Sequence, residues 1–252
     1  MKKKIEKLLL NNFPVNNWVY FLLKNNQAKL IRIDNICAIY EMKELNNQEV
    51  SFLHFITYKH LLRKQTLQKI QRLIVQLNPN YIYVDKNNYL DFKKVMNSLE
   101  SIVWFNQIMT NDNKKTKLES TNSELVYSSN KSEYKKFLNG EFGFFEDLWI
   151  KQINSKRKDI FYLENNLEKI CGASIVYTIN NYDVLWGVNT KKEFQNQGWA
   201  TQMLSLFLNK QTQNKRKTLI YVDSASSKLI NFYSKLGFKT MGEIAIFKNK
   251  LV

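Results

Sequence analysis

Gln195-Asn196-Gln197-Gly198-Trp199-Ala200 is the stretch on which the reading of this chain turns. An apolar, strand-like run, Val184-Leu185-Trp186-Gly187-Val188, precedes it, and a helix-like run, Ala200 to Leu208, follows. A loop with Gly and Ala at the start of a helix leaves backbone N–H groups without intrahelical partners. Small residues there let a ligand approach the main chain closely, and the helix dipole adds about half a positive charge. Such a turn is suited to a pyrophosphate. Taken alone it is a weak signal, since a glycine in a strand-to-helix turn also serves the turn itself.

The sequel narrows the reading. Thr218-Leu219-Ile220-Tyr221-Val222 has the composition of a second buried strand, and Ser226 to Lys235 that of a short helix closing on Leu236-Gly237-Phe238. Together these features resemble the Gcn5-related N-acetyltransferase (GNAT) superfamily. Its Gln/Arg-x-x-Gly-x-Gly/Ala loop is matched by Gln195, Gly198 and Ala200, and its later tyrosine and Leu-Gly-Phe ending by Tyr233 and Leu236-Gly237-Phe238. Where the family usually has Asn, this chain has Ser226, a shorter side chain that would hold the cofactor arm less directly. The resemblance covers residues 124–252. It implies an α/β fold with a mixed sheet (α+β), with a GNAT domain over 124–252.

The N-terminal half reads differently. All seven glycines lie at or after Gly140, so the turns before it must rely on Asn, Asp, Pro14 and Pro79. Ala28–Ile33 and Ile36–Glu41 suggest a hairpin around Asp34-Asn35, and Val50–Tyr58 is a third apolar run. Lys3–Asn11 reads as a short amphipathic helix. His60–Leu77 is a second helix, with Leu61, Leu62, Leu67, Ile70, Leu73, Ile74 and Leu77 at helical spacing. A strand over Tyr81–Val84, a helix over Tyr89–Leu99 and a strand over Ile102–Met109 complete a mixed α/β domain over 1–110. That order is compatible with a degenerate GNAT-like repeat. The polar segment 111–123 is expected to be a linker.

Composition bounds the partners. The net charge is +16, but residues 1–123 carry 19 Lys/Arg against 10 Asp/Glu and the remainder 19 against 12, so no basic face is concentrated in either half. Nucleic acid is therefore not the expected partner, although a basic tilt favours an acidic cofactor such as acetyl-CoA. Two cysteines, Cys37 and Cys171, and two histidines give neither a disulfide framework nor a metal-ligand spacing, so no metal is expected. No run has the length of a membrane span. A cytoplasmic protein without a membrane partner is the expectation, and a homodimer is compatible with it.

What the resemblance implies for chemistry can be assigned residue by residue. Acetyl-CoA would be the co-substrate, its pyrophosphate mostly on the backbone of Gln197, Gly198, Ala200 and Thr201, with the Thr201 hydroxyl able to add to it and Gln195 of the same loop a further cofactor-binding residue, and its pantetheine and acetyl arm along the backbone of Val188 and Thr190. Ser226 would support the arm, and Lys191 and Lys192 are near enough in sequence to meet phosphates. The oxyanion donor would be a backbone N–H near Val188. Tyr233 would protonate the leaving thiolate, since a phenol with a pKa near 10 is a sensible donor at neutral pH. Asp183 is the nearest candidate base, with Glu164 and Glu193 behind it. Cys171 as an acyl carrier is the weaker alternative to direct transfer. Phe142, Phe144, Phe145 and Trp149 fall in the acceptor-facing segment, as pocket wall or as core. The resulting expectation is acetyl-CoA-dependent N-acetylation of a primary amine on a small molecule. The alternatives are a silent CoA- or partner-binding module, or a transferase for a protein or aminoacyl-tRNA amine.

Overall fold

The computed structural model describes the chain except residues 1–8, 11–12, 26, 34–35, 46–47, 58–63, 97–101, 112–123, 144, 155, 166–167 and 250–252. In chain order the elements are α1 (Phe13–Lys24), β1 (Lys29–Ile33), β2 (Ile36–Leu45), β3 (Gln48–Thr57), α2 (Lys64–Leu77), β4 (Tyr81–Asp85), α3 (Tyr89–Met96) and β5 (Ile102–Asn111). They continue with β6 (Leu125–Ser128), α4 (Lys131–Leu138), α5 (Phe145–Gln152), β7 (Ile160–Asn165), β8 (Glu168–Ile179), β9 (Tyr182–Thr190), α6 (Trp199–Gln213), β10 (Lys217–Asp223), α7 (Ser227–Lys235) and β11 (Lys239–Lys248). The expected mixed α/β character holds in both halves. The expected helix over residues 3–11, the Asp34-Asn35 turn and residues 60–63 of the expected helix fall wholly or largely outside the described residues, as does the segment 112–123. Thr110 and Asn111, at the edge of the expected linker, are instead the buried end of β5.

The chain forms two compact units. The first comprises residues 1–108, 222–227 and 240–252, and the second residues 109–221 and 228–239. In the first, β1, β2 and β3 form an antiparallel meander. The chain then crosses through α2, and β4 runs parallel to β3 from Phe52↔Tyr81 to Phe55↔Val84. The far edge of β4 is taken by β11, antiparallel from Ile244↔Asp85 to Lys248↔Tyr81. The last strand of the chain therefore joins the unit built mainly from the N-terminal half. Helix α2 buries Ile70 and Ile74, and α3 buries Phe92 and Val95, against Leu53, Phe55, Ile82, Val84 and Phe247. The repeat of α2 stops where Asn78 adopts a left-handed conformation ahead of Pro79.

In the second unit β6, β7, β8 and β9 are antiparallel, and β10 runs parallel to β9. Strand β8 is buried along most of its length because both faces are covered. Phe161 stacks on Phe207 of α6 at 4.5 Å. The next residue, Tyr162, points to the opposite face and meets Tyr134 and Phe137 of α4. Helix α4 is capped at its start by Asn130, whose side chain accepts from the Glu133 N–H at 3.1 Å, and ends at Asn139 in the left-handed region. The order meander, helix, parallel strand, helix, strand thus occurs twice: β1–β2–β3–α2–β4–α3–β5, then β7–β8–β9–α6–β10–α7–β11.

The face of the first unit's sheet opposite α2 and α3 holds an unusual set of buried groups. Glu41 is paired with Lys43 at 3.3 Å, Lys43 lies over the Trp18 ring, and His54 stacks on Tyr83 at 4.6 Å. Among the described residues Glu41 Oε2 and His54 Nε2 have no hydrogen-bond partner. Burial raises the Glu41 carboxyl to about 7, against the pull of Lys43. Burial, with the Lys43 charge, pushes His54 down to about 3. Glu41 therefore keeps its proton in the fold where the unfolded chain has released it, so its contribution to stability is full below about pH 4.5 and is lost as pH rises to about 7. His54 acts in the opposite sense, being stabilising above its unfolded value of 6.5 and costing stability as pH falls. The Glu41→Gln variant is expected to gain stability relative to the parent chain between about pH 5 and 7, by on the order of 2 kcal/mol. Urea unfolding across that range measures it, and a constant difference would contradict the buried, protonated carboxyl.

Candidate functional site

Parallel strands β9 and β10 pair only at Tyr182↔Lys217, Asp183↔Thr218 and Val184↔Leu219. Beyond that point β9 runs on to Thr190 and β10 to Asp223 without a shared ladder. Strands that stop pairing while remaining strands leave a row of main-chain donors and acceptors along an open edge, and these need partners. The opening is accompanied by a bulge in β9. Its register with β8 steps from Ser174↔Trp186 to Gly172↔Asn189, so Gly187 and Val188 face the single residue Ala173. Gly187 takes φ +67, a conformation that favours glycine.

Tyr134 of α4 holds this bulge. Its hydroxyl lies 2.8 Å from the Gly187 carbonyl oxygen and 3.2 Å from that of Trp186, to which it donates. Ser174 also donates to the Trp186 carbonyl, at 3.3 Å. A Cβ on Gly187 would overlap the Tyr134 hydroxyl. The phenol is fully buried, which raises its pKa and keeps it a donor.

Strand β9 leads through a 3-10 turn at Lys192–Phe194 to the loop 195–198. Gln195 donates to the Thr190 carbonyl at 3.0 Å, and Gln197 to that of Glu193 at 2.9 Å, so both side chains brace the loop. Gly198 is the N-cap of α6 at φ +86, with no side-chain cap and nothing within 4 Å of the place a Cβ would occupy. Among the described residues no side chain caps the N–H groups of the first turn, which include those of Ala200 and Thr201. Cys171 lies under the start of α6, 3.5 Å from the Trp199 carbonyl oxygen, and burial pushes its thiol up to about 12, which suits a packed thiol rather than a nucleophile.

The other expected residues divide. Tyr233 of α7 is buried against Phe232 and Phe238, and burial raises its pKa. It is also close enough to Tyr134 for its charged form to raise the pKa of that phenol. Lys191 pairs with Glu168 at 2.7 Å, whereas Lys192 is exposed. Glu164 pairs across the ladder with Lys169, and Glu193 is exposed in the turn. Ser226 lies in the turn before α7, where its N–H donates to the Asp223 carbonyl.

Asp183 requires a correction. It is 1% exposed, and both carboxylate oxygens are taken: Arg216 donates to Oδ1 and Oδ2 at 2.6 Å, Gln211 to Oδ2 at 2.9 Å and Thr178 to Oδ1 at 2.5 Å. Asp183 points to the α6 side, whereas Trp186, next to the bulge, points to the α5 side. Its carboxylate is a structural tie between β8, β9, α6 and Arg216, not a base facing the bulge. Sequence reasoning missed Tyr134 and also Glu146, a carboxylate of α5 that is 4% exposed.

Residues 156–240 match the model of the acetyltransferase (GNAT) domain. That match runs from just before β7 to the start of β11, about a third of the chain. Solved GNAT structures share the fold at low identity. A GCN5-related N-acetyltransferase from Kribbella flavida is 8% identical over 98% of this chain and 95% of its own, with a TM-score of 0.59. A GNAT-family acetyltransferase from Colwellia psychrerythraea is 15% identical over 84% and 86%, with a TM-score of 0.55. A GCN5-related N-acetyltransferase-like protein from Streptococcus suis is 11% identical over 91% of each chain, with a TM-score of 0.56. No curated protein matches the chain. Among the described residues no helix is long and apolar enough to cross a membrane.

The contact at the β9 bulge gives a sharp test. Gly187→Ala is expected to cost about 2–4 kcal/mol, from the left-handed backbone and from the overlap with Tyr134. Tyr134→Phe alone is expected to cost about 1 kcal/mol. The double variant should be more stable than additivity predicts, because the second change removes the overlapping oxygen. Strict additivity in urea unfolding would mean that the two groups do not meet.

Proposed function

We propose that the GNAT domain moves an acetyl group from acetyl-CoA directly to a primary amine of a small molecule, with the chemistry carried by residues 124–252. The observation that carries this reading is the opening between β9 and β10 beside the uncapped start of α6. A thioester arm in that opening would satisfy the free edge of β9 at Val188 and Thr190. Its pyrophosphate would receive the N–H groups around Gln197, Gly198, Ala200 and Thr201, on a loop braced by Gln195. The exposed Lys192 would add polar support.

In the reaction the amine must arrive without its extra proton. Its lone pair attacks the thioester carbonyl, the C–N bond forms, and the oxygen takes the negative charge beside the bulge, where a main-chain N–H near Val188 would stabilise it. Collapse breaks the C–S bond. Tyr233 gives its proton to the thiolate and regains the one that leaves the nitrogen. Burial suits Tyr233 to this part, since a phenol with a raised pKa stays protonated at neutral pH.

Two measurements test the reading. Acetyl-CoA at 100 times its dissociation constant should stabilise the chain by roughly 2.7 kcal/mol. In Gly198→Glu the shift should vanish, because the new carboxylate stands where phosphate charge would lie. No shift in the parent chain would refute cofactor binding, and a shift without thiol release on any amine would identify a silent module. For Tyr233→Phe, turnover should fall at least about a hundredfold while the acetyl-CoA shift persists; unchanged turnover would remove Tyr233 from the mechanism.

A further inference from the structure

On the sheet face that carries Trp186, four aromatic rings gather in front of the bulge. The Phe142 ring centre lies 4.8 Å from that of Trp186, and the Trp149 ring is 6.4 Å from both Trp186 and Tyr221. All four rings are partly exposed, so they form a wall rather than a closed core. Glu146 stands one helical turn before Trp149, on the same side of α5. Its Oε2 lies 3.5 Å from the Phe142 N. Its charge also reaches Tyr134, whose hydroxyl sits against the Trp186 and Gly187 carbonyls. The carboxylate therefore lies beside Phe142 of the aromatic wall, near enough for its charge to act on Tyr134.

Glu146 has no cation in direct contact, although the Lys135 charge reaches it. Among the described residues no Lys or Arg forms an ion pair with it, and the neighbouring Lys135 is taken by Asp147 at 2.5 Å. A buried carboxylate with one long hydrogen bond is costly unless something cationic completes it. Flat rings beside it favour an organic cation or a stacked planar group.

We infer that the acceptor is an arylalkyl primary amine, with Glu146 receiving its ammonium group and the wall of Phe142, Trp149, Trp186 and Tyr221 receiving its ring. As an account of the acceptor, this rests on the acetyl-transfer reading above. Glu146 then takes the proton that the ammonium must lose. The free amine is left beside Gly187 and Val188, and the remaining bond changes are those already described.

Calorimetric titration of the cofactor-free chain tests the site without any turnover. 2-Phenylethylamine should bind roughly tenfold more tightly than 2-phenylethanol, which keeps the ring and lacks the charge, and more tightly than butylamine, which keeps the charge and lacks the ring. Glu146→Gln should abolish the preference for the amine over the alcohol while still binding the alcohol, which also shows that the variant is folded. Equal binding of amine and alcohol by the parent chain, or an unchanged preference in the variant, overturns the inference. If the amine preference holds but acetyl-CoA does not bind, the amine site stands and the transfer reading alone fails. If acetyl-CoA binds and spermidine is acetylated faster than 2-phenylethylamine, the transfer reading stands and the aromatic acceptor is overturned.

Discussion

Two parallel strands that cease to pair after Val184 and Leu219 set the terms for the rest of the second unit. An open edge within a sheet leaves amides and carbonyls seeking partners, and no side chain can serve them all. The bulge at Gly187 and Val188 bends β9 at this place. The following loop, held by Gln195 and Gln197, brings an uncapped helix start to the end of the same strand. One source of unmet hydrogen-bonding capacity lies along the strand and another at the helix. A ligand with an amide-bearing arm and a diphosphate matches both, which is the physical content of the acetyl-CoA proposal.

Much of this was legible in the residues. Val184–Val188, the Gly198 turn and the apolar run after it announce strand, loop and helix in order, and the structure keeps that order, with β9 two residues longer at each end and α6 running on to Gln213. For Asp183, nearness in sequence to the bulge does not give direction. Alternation along β9 puts Asp183 and Trp186 on opposite faces, and Arg216, 33 residues on, shows which face Asp183 serves. Tyr134 and Glu146 gave no such signal. Each looks like an ordinary helix residue; Tyr134 matters through a contact with β9 52 and 53 residues later, and Glu146 through its burial beside Phe142. The short range of helical and strand periodicity does not carry that information.

The two units show what the second one adds. Both contain an antiparallel meander, a helix and a strand parallel to the third, yet β3 and β4 stay paired from Phe52↔Tyr81 to Phe55↔Val84, next to the end of β4 at Asp85. The other edge of β4 is occupied by β11. Among the described residues, β4 is thus paired on both edges, with no counterpart of the opening beside α6. The absence of glycine before Gly140 agrees with this, since a bulge like that at Gly187 requires a left-handed residue. In place of an opening, the first unit buries Glu41, Lys43 and His54.

The hydroxyl that fills the space beside Gly187 comes from Tyr134, on a helix that also packs against Tyr162 and sits next to the carboxylate of Glu146. The curvature of β9 is thus fixed from the side on which an incoming molecule would arrive, rather than by β9 itself. Under the acetyl-transfer proposal, reshaping that side to admit a different visitor would shift the peptide planes meant to steady the developing negative charge. Selectivity and rate would then be mechanically joined, and adaptation of one would have to pass through the other.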